Sequence, residues 1–517
     1  MIGAVGALGP STSFALPLLE KKRKPNVVLI VCDDLNDYVT GLGGHPQART
    51  PHIAKLAQTA VSFRRAYSNF PICAPSRSSF LTGIYPHTSK NMAFDKWYEN
   101  PVLKNSRTIM EHFGANGYHV MGTGKVMHHF LRSVWSEFEN EADYGPFVYD
   151  GKKLVSHPSV PKPFNDLGQW ASYAPLSDSP YEPNDSPDKD WAYGIGHKKF
   201  NYVDEEHRDP TPDEINALWA ANTIKERAKQ ENDQPFFLGV GFIRPHMPLH
   251  VPQRFFDMFP QDTLELPVIK PNDADDCYYA KVFGPEKTGL KYFSTIKASY
   301  PNLESGLKAF TQAYLACVTA VDDCIGQVIE AVDKSPLKDN TIIIVTSDHG
   351  WNMGEKDNLF KNTLWEESTR VPLIIRAPGV TVPSGIAEHP VSLIDLYPTL
   401  ISLCGLEGDT RKNLQGAKLD GHSLVPFLKN PRNGTWTGPD AALSMTYGEK
   451  VDIKDPTQQH YSLRTIRWRY ILYNNGSEEL YDHDADPYEW TNLCDDTRYQ
   501  KVKADLKAQL SRMMQSK

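Results

Sequence analysis

Residues 26–35, NVVLIVCDDL, place six consecutive apolar residues directly before two aspartates. The run is too short for a buried helix and shows no alternation. It therefore reads as a strand covered on both faces, with its C-terminal end opening into a loop. The same pattern returns at 341–350, TIIIVTSDHG, where an apolar run again turns abruptly acidic. PFFLGVGFIRPH (235–246) and VPLIIRAPG (371–379) are further strands of this kind. Helical stretches separate them: after Thr50, from 106, from 212 and from 310. Strands alternating with helices predict a mostly parallel sheet sandwiched by helices, an α/β fold. Ligands in such sheets collect at the carboxyl ends of the strands. Asp33, Asp34, Asp348, His349 and His246 all sit at such ends, although hundreds of residues separate them.

The chain of 517 residues exceeds one ordinary domain. A formal net charge of -8, with no clustered basic face, gives no electrostatic case for nucleic acid. The one basic block, Lys21-Lys22-Arg23-Lys24, reads as an exposed approach to the first strand. No apolar run reaches the roughly 20 residues of a membrane span. Residues 1–24 carry a small, apolar stretch like the core of an export signal without its basic start. They are read as the remnant of such a signal, which implies a periplasmic or secreted protein. None of the seven cysteines forms a CxxC pair, which argues against a zinc ribbon or a thioredoxin-type site. Cys317 and Cys324 fall on one helix about 10 Å apart, too far for a disulfide.

Two stretches depart from the alternation. Residues 131–210 are rich in proline, aspartate and aromatics, with little periodicity; their aromatic content predicts an ordered wall of a cleft. From about residue 440 the pattern alternates and turns at Asn474-Asn475-Gly476, an antiparallel hairpin.

The acidic strand ends make a hard-cation site. Three carboxylates suit Ca²⁺, or Mg²⁺ less well, and a single imidazole without a thiol cluster argues against structural zinc. Cys73 stands in SNFPICAPSRSSFLTG (68–83), where Pro71, Pro75 and Ser76 read as a turn feeding a helix from near Ser78. That is a poor place for a core thiol. Arg77 follows at the wrong spacing for a thiolate phosphatase loop.

The stretch CAPSR (73–77) with LTG (81–83) resembles the signature of the type I, formylglycine-dependent sulfatases. NVVLIVCDDL resembles that family's first metal strand, GTGKVMHH (122–129) its lysine–histidine segment, TSDHG its second metal strand, and LYDHDADPYEWTNL (480–493) its closing motif. GKVMHH, RPHMPL (244–249) and Lys361 after SDHG are most similar to the iduronate-2-sulfatase branch and its bacterial polysaccharide-sulfatase relatives.

The resemblance implies an alkaline-phosphatase-like catalytic domain over 25–435 and a smaller α+β domain with an antiparallel sheet over 436–517. It implies that Cys73 is oxidised to formylglycine by a formylglycine-generating enzyme. The hydrated aldehyde is then the nucleophile, and its second hydroxyl later expels the sulfate. By the same resemblance Asp33, Asp34, Asp348, His349 and residue 73 bind Ca²⁺. Many relatives have asparagine where His349 stands; the iduronate branch has histidine. Arg77 and Lys125 steady the formylglycine and the sulfate oxygens, and Lys361 is a further sulfate clamp. His128 partners the diol hydroxyl, though His129 beside it is interchangeable by sequence, and His246 is the acid for the leaving oxygen.

Plainer readings exist for each: an ion pair at a helix start for Arg77, surface lysines for Lys125 and Lys361, a turn histidine for His246. The implied substrate is a sulfated oligo- or polysaccharide, attacked at a chain end, with Lys96, Trp97 and His45 as candidate sugar contacts. The rivals are a phosphoester or phosphonate hydrolase on the same fold, and a silent polysaccharide-binding protein whose Cys73 stays unmodified.

Overall fold

The computed structural model describes residues 3, 23–182, 188–230 and 234–515. Apart from Gly3, Arg23 and Lys24, the segment read as an export-signal remnant lies outside the described residues; Arg23 and Lys24 are exposed. No helix among the described residues is long and apolar enough to cross a membrane.

Strand β1 (Asn26–Asp33) runs through the middle of an eight-stranded sheet, buried along its whole length. The other strands are β2 (Val61–Phe63), β3 (His119–Gly124), β4 (Glu137–Phe138), β5 (Phe236–Pro245), β6 (Thr341–Ser347), β7 (Leu373–Arg376) and β8 (Gly385–Ala387). Their spatial order is β8-β2-β7-β6-β1-β5-β3-β4. The apolar run of β1 is explained by its two neighbours and two covered faces. Val28, Ile30 and Cys32 enter one core, while Val27, Leu29 and Val31 enter the other. A period of two with both faces covered leaves no polar position along the strand. Each aliphatic side chain so buried contributes about 1.5–3 kcal/mol.

Helices α1 (Pro51–Ala57), α4 (Pro212–Lys229) and α5 (Leu303–Asp333) cover the first face. Helices α2 (Cys73–Thr82), α3 (Ile109–Ala115) and α6 (Leu396–Cys404) cover the second. Strands β3, β5, β1 and β6 are parallel, whereas β7 pairs antiparallel with both β6 and β2. The run at 371–379 is thus a strand, but of the opposite sense. Cys317 and Cys324 are free thiols buried in α5.

The helix expected near Ser78 begins five residues earlier, at Cys73, and runs through Pro75. A proline in the first turn costs nothing there, because that turn's N–H groups have no partner inside the helix. It ends at Gly83 (φ +69°), where a Cβ would come within 2.7 Å of Leu419 Cδ2.

Residues 131–210 hold more regular structure than their composition suggests. A three-stranded sheet forms from Phe147–Asp150, Leu154–Val155 and Lys189–Ala192, and Tyr173–Pro175 pairs with Leu249–Val251. A separate sheet follows of β9 (Ala442–Thr446), β10 (His460–Arg464), β11 (Trp468–Leu472) and β12 (Glu478–Asp482), antiparallel throughout. Its last hairpin turns through Gly476 at φ +86°, a conformation that glycine adopts without strain. Helix α7 (Gln500–Met514) packs Leu506 and Leu510 onto this sheet.

Candidate active site

Parallel register sets the site. Cys32 lies opposite Ser347, Asp33 opposite Pro245, and Gly241 opposite Gly124. The residues just beyond these pairs, Asp34, Lys125, His246 and Asp348, therefore emerge at one edge of the sheet. Consecutive side chains on a strand point to opposite faces, so Asp33 and Asp34 could not both serve one site in an extended chain. Asp34 resolves this with φ +65°, a left-handed conformation that aspartate tolerates better than most residues.

Helix α2 presents Cys73 at its first position, 3% exposed. Its Sγ lies 3.2 Å from Lys361 Nζ and 3.4 Å from His349 Nε2. Lys361 Nζ also donates to Asp34 Oδ1 at 2.6 Å, and His349 Nε2 sits 3.4 Å from that same oxygen. Lys125 Nζ donates to Asp33 Oδ2 and lies over the Tyr144 ring, 4.8 Å from its centre. Ser76 Oγ donates to the Asp348 carbonyl at 2.6 Å, fastening α2 to the end of β6.

Arg77 takes a different place from the one expected. Its Nε donates to Asp348 Oδ2 at 2.8 Å, one terminal nitrogen approaches Asp33 Oδ1 at 3.5 Å, and the rest bond the carbonyls of Cys32, Lys125 and Val126. The guanidinium is fully buried and fully used, so it aims the carboxylates from behind and has no donor left for a sulfate oxygen.

The fields in this cluster are strong. Burial pushes the Cys73 thiol up, but Lys125, Lys361 and His349 outweigh it and hold it well below the ordinary thiol range. Burial and Cys73 push the Asp33 carboxyl up, and Lys125, His246 and Arg77 overcome them to leave it low. Burial raises Asp348 to about 6 against the pull of Arg77. Burial works against a charged His349, yet Asp348 lifts it to about 9. Burial lowers His128, which adjoins Cys73 and keeps Nδ1 buried without a hydrogen-bond partner.

Two oxygens of the cluster, Asp33 Oδ1 and Asp34 Oδ2, are buried and accept no hydrogen bond. Donor atoms of Asp33, Cys73, Asp348 and His349 fall within 4.8 Å of one another, as do those of Asp33, Asp34, Cys73 and His246. Buried oxygens without partners are rare, and oxygen-rich donors suit a hard divalent cation. The residues fit one.

A cavity of about 430 Å³ opens over Cys73, lined by His128, His246 and Lys361 among others. It separates the two histidines that sequence left interchangeable: His128 faces the cavity, and His129 lies outside it, its carbonyl accepting from Trp97 Nε1. Trp97 is 3% exposed in the core and cannot reach a sugar. Lys96 is exposed, pairs with Glu99 and lies outside the lining. His45 lines another cavity, beside Asp37 and Glu355, and bonds the Glu265 carbonyl. Lys96 and Trp97 belong elsewhere because the chain leaves the cleft after Phe94, and His45 because it sits in the segment between β1 and α1. Of the aromatic wall itself, Tyr144 and Trp170 had only the aromatic richness of 131–210 as a signal, and Tyr292, Trp351 and Phe360 had none.

The sequence profile of the sulfatase family matches residues 25–406, and that of the N-sulphoglucosamine sulphohydrolase C-terminal region matches 354–516. A sulfatase of Formosa agariphila is 31% identical over 94% of this chain and 86% of its own length. The iduronate 2-sulfatase of Mus musculus is 27% identical over 92% of this chain and 91% of its own. The phosphonate monoester hydrolase of Agrobacterium radiobacter superposes with a TM-score of 0.69 at 22% identity, covering 95% of each chain. At that identity the likeness speaks to the fold, which is the alkaline-phosphatase-like fold expected.

Proposed function

The chain belongs to the sulfatase family, a family of sulfuric ester hydrolases, and from that premise we propose that it releases sulfate from a sulfated carbohydrate using residue 73. The observation that carries this reading is the placement of Cys73: first in its helix, under the cavity, within 3.4 Å of both Lys361 and His349. A formylglycine-generating enzyme using an external oxidant such as O₂ would convert this thiol to formylglycine before the fold buries it. Its hydrate would supply the attacking oxygen and a second hydroxyl for expelling the sulfate.

A calcium ion held by Asp33, Asp34, Asp348, His349 and residue 73 would acidify that hydroxyl and take up charge on the sulfate oxygens. Magnesium demands a stricter octahedral shell and suits this mixed set less well. Lys125 and Lys361 hold positive charge where negative charge develops on the transferring group. Arg77 keeps Asp348 and Asp33 ionised and aimed. His128, beside residue 73, takes the proton that the second hydroxyl must lose. His246 lines the cavity with Nδ1–H against the Met247 carbonyl at 2.6 Å, so Nε2 is the nitrogen that exchanges a proton, and in the imidazolium form it would give that proton to the departing sugar oxygen.

The carbohydrate class rests on the aromatic cavity wall and on a relative named for a sugar substrate, without carrying over which sugar that is. We read residues 25–435 as the catalytic domain and 436–517 as a smaller C-terminal domain. On this reading the enzyme works in the periplasm or outside the cell.

The test compares release of sulfate from sulfated oligosaccharides with release of phosphate from phosphate monoesters, for the wild type and Cys73→Ala. Sulfate esters should be strongly preferred. The variant should fold and lose at least about 10⁴-fold in kcat, as expected when a nucleophile is removed. Preference for phosphate, or wild-type turnover by Cys73→Ala, would overturn the reading.

A further inference from the structure

Among the described residues only three phenylalanine, tryptophan or tyrosine side chains are exposed: Phe94 (53%), Trp170 (37%) and Tyr488 (45%). Two of the three, Phe94 and Trp170, line the one cavity that holds Cys73. Leaving a large aromatic surface in water forgoes the gain from burying it, and concentrating such surface at one cleft marks a place where a ligand covers it. Neither ring is loosely placed. Trp170 packs edge-on against Tyr144, Phe147 and His246, with ring centres 5.4, 5.3 and 5.6 Å apart. Phe94 lies 5.3 Å from His128. The exposed rings thus adjoin the two histidines that flank the reacting group.

The charge of the lining is equally specific. Lys361 is its one lysine or arginine, and its ammonium is already committed to Asp34 and Cys73. An aromatic face carries negative electrostatic potential. It attracts the C–H bonds on the flat side of a pyranose and repels a carboxylate. A uronate ring here would lose the hydration of its carboxylate and find no free lysine or arginine in exchange among the described lining residues, which is costly.

We infer that the sugar ring carrying the scissile sulfate is an uncharged pyranose, held by its C–H face on Trp170 and Phe94. The inference rests on the sulfated-carbohydrate reading and narrows it: the sugar is neutral apart from its sulfate.

Matched pairs of sulfated glycosides test it: a neutral hexoside and its uronide, identical in sulfate position and aglycone, taken across the ring positions. In the wild type the neutral member of the reactive pair should have a kcat/KM at least about 10-fold higher. Trp170→Ala should raise KM for that substrate about 10-fold with a smaller change in kcat, and Trp170→Phe should recover most of the loss. The wild-type comparison stands even if a variant misfolds. Equal or faster turnover of the uronide overturns the inference and leaves the carbohydrate reading intact. Turnover of 4-nitrophenyl sulfate with none of any glycoside overturns both.

Discussion

Two buried ionic clusters in this molecule each set carboxylates against basic side chains, and they do different things. One surrounds Cys73: Asp33, Asp34 and Asp348 against Lys125, Lys361 and Arg77. The other joins the last turn before β7 to the C-terminal sheet: Glu366 and Glu489 against Arg464, Arg469 and His483. Carboxylate and imidazole atoms of Glu366, His483 and Glu489 also converge closely enough to hold a metal. In that second cluster, however, every charged group has a partner. Arg469 bonds both glutamates, the Leu364 carbonyl and Ser462 Oγ, and Tyr67 Oη donates to Glu366 Oε1 at 2.9 Å. In the first cluster two carboxylate oxygens and one imidazole nitrogen are buried with no hydrogen bond. Unmet valence, rather than charge or depth, separates a site from a strut.

The sharpest way to break this comparison is at His246. An activated aryl sulfate barely needs a proton on its leaving oxygen, whereas a sugar hydroxyl does. His246→Ala should slow sugar-sulfate turnover by about 10²–10⁴-fold and an aryl sulfate much less. Equal slowing in kcat/KM on the two substrates would make it a clamp or a structural residue. Next comes the strut. Arg469→Met removes the guanidinium that two buried glutamates share, leaving Glu366 to Arg464 and Glu489 to His483, and should destabilise the fold by about 3–5 kcal/mol. The kcat per folded molecule should not change, because Arg469 touches nothing in the cavity. Denaturant melts and active-site titration together check both halves; loss of kcat without loss of stability would reverse the assignment. The smallest effect is on stability. A cation present at 100 times its Kd adds about 2.7 kcal/mol, so adding Ca²⁺ to chelated protein should raise Tm. That response should vanish in Asp34→Asn and survive in Arg469→Met. A calcium response that persists in Asp34→Asn would place the ion elsewhere.

How much of this was legible follows from which interactions are local. The continuous apolar runs of β1 and β6, each ended by aspartate, contain within ten residues the reason they are central strands, and they located the site. The left-handed turn at Asp34 left no such trace, because aspartate occurs in many conformations and only the need to aim two neighbours at one point selects this one. Pro75 misled for a local reason too: it reads as a turn, yet the first turn of a helix accepts it. Arg77 was singled out by its motif, but its bonds to Asp348 and to the carbonyls of Cys32, Lys125 and Val126 could not be read there, since they depend on β1 and on the segment after β3. His128 and His129 lie in an irregular turn without periodicity, and only the cavity tells them apart. Trp170 and Tyr144 meet His246 across more than 70 residues of chain, and no spacing rule links them. The strut of Glu366, Glu489 and Arg469 is equally non-local, and it passed unnoticed.

The most direct test of the account is the chemical state of residue 73 in active protein. Protein produced together with a formylglycine-generating enzyme should be digested and the peptide containing residue 73 weighed, alongside sulfate release measured on the same preparation. The account predicts an aldehyde at position 73, with specific activity rising in proportion to the converted fraction. Full activity in protein that retains the Cys73 thiol would contradict it.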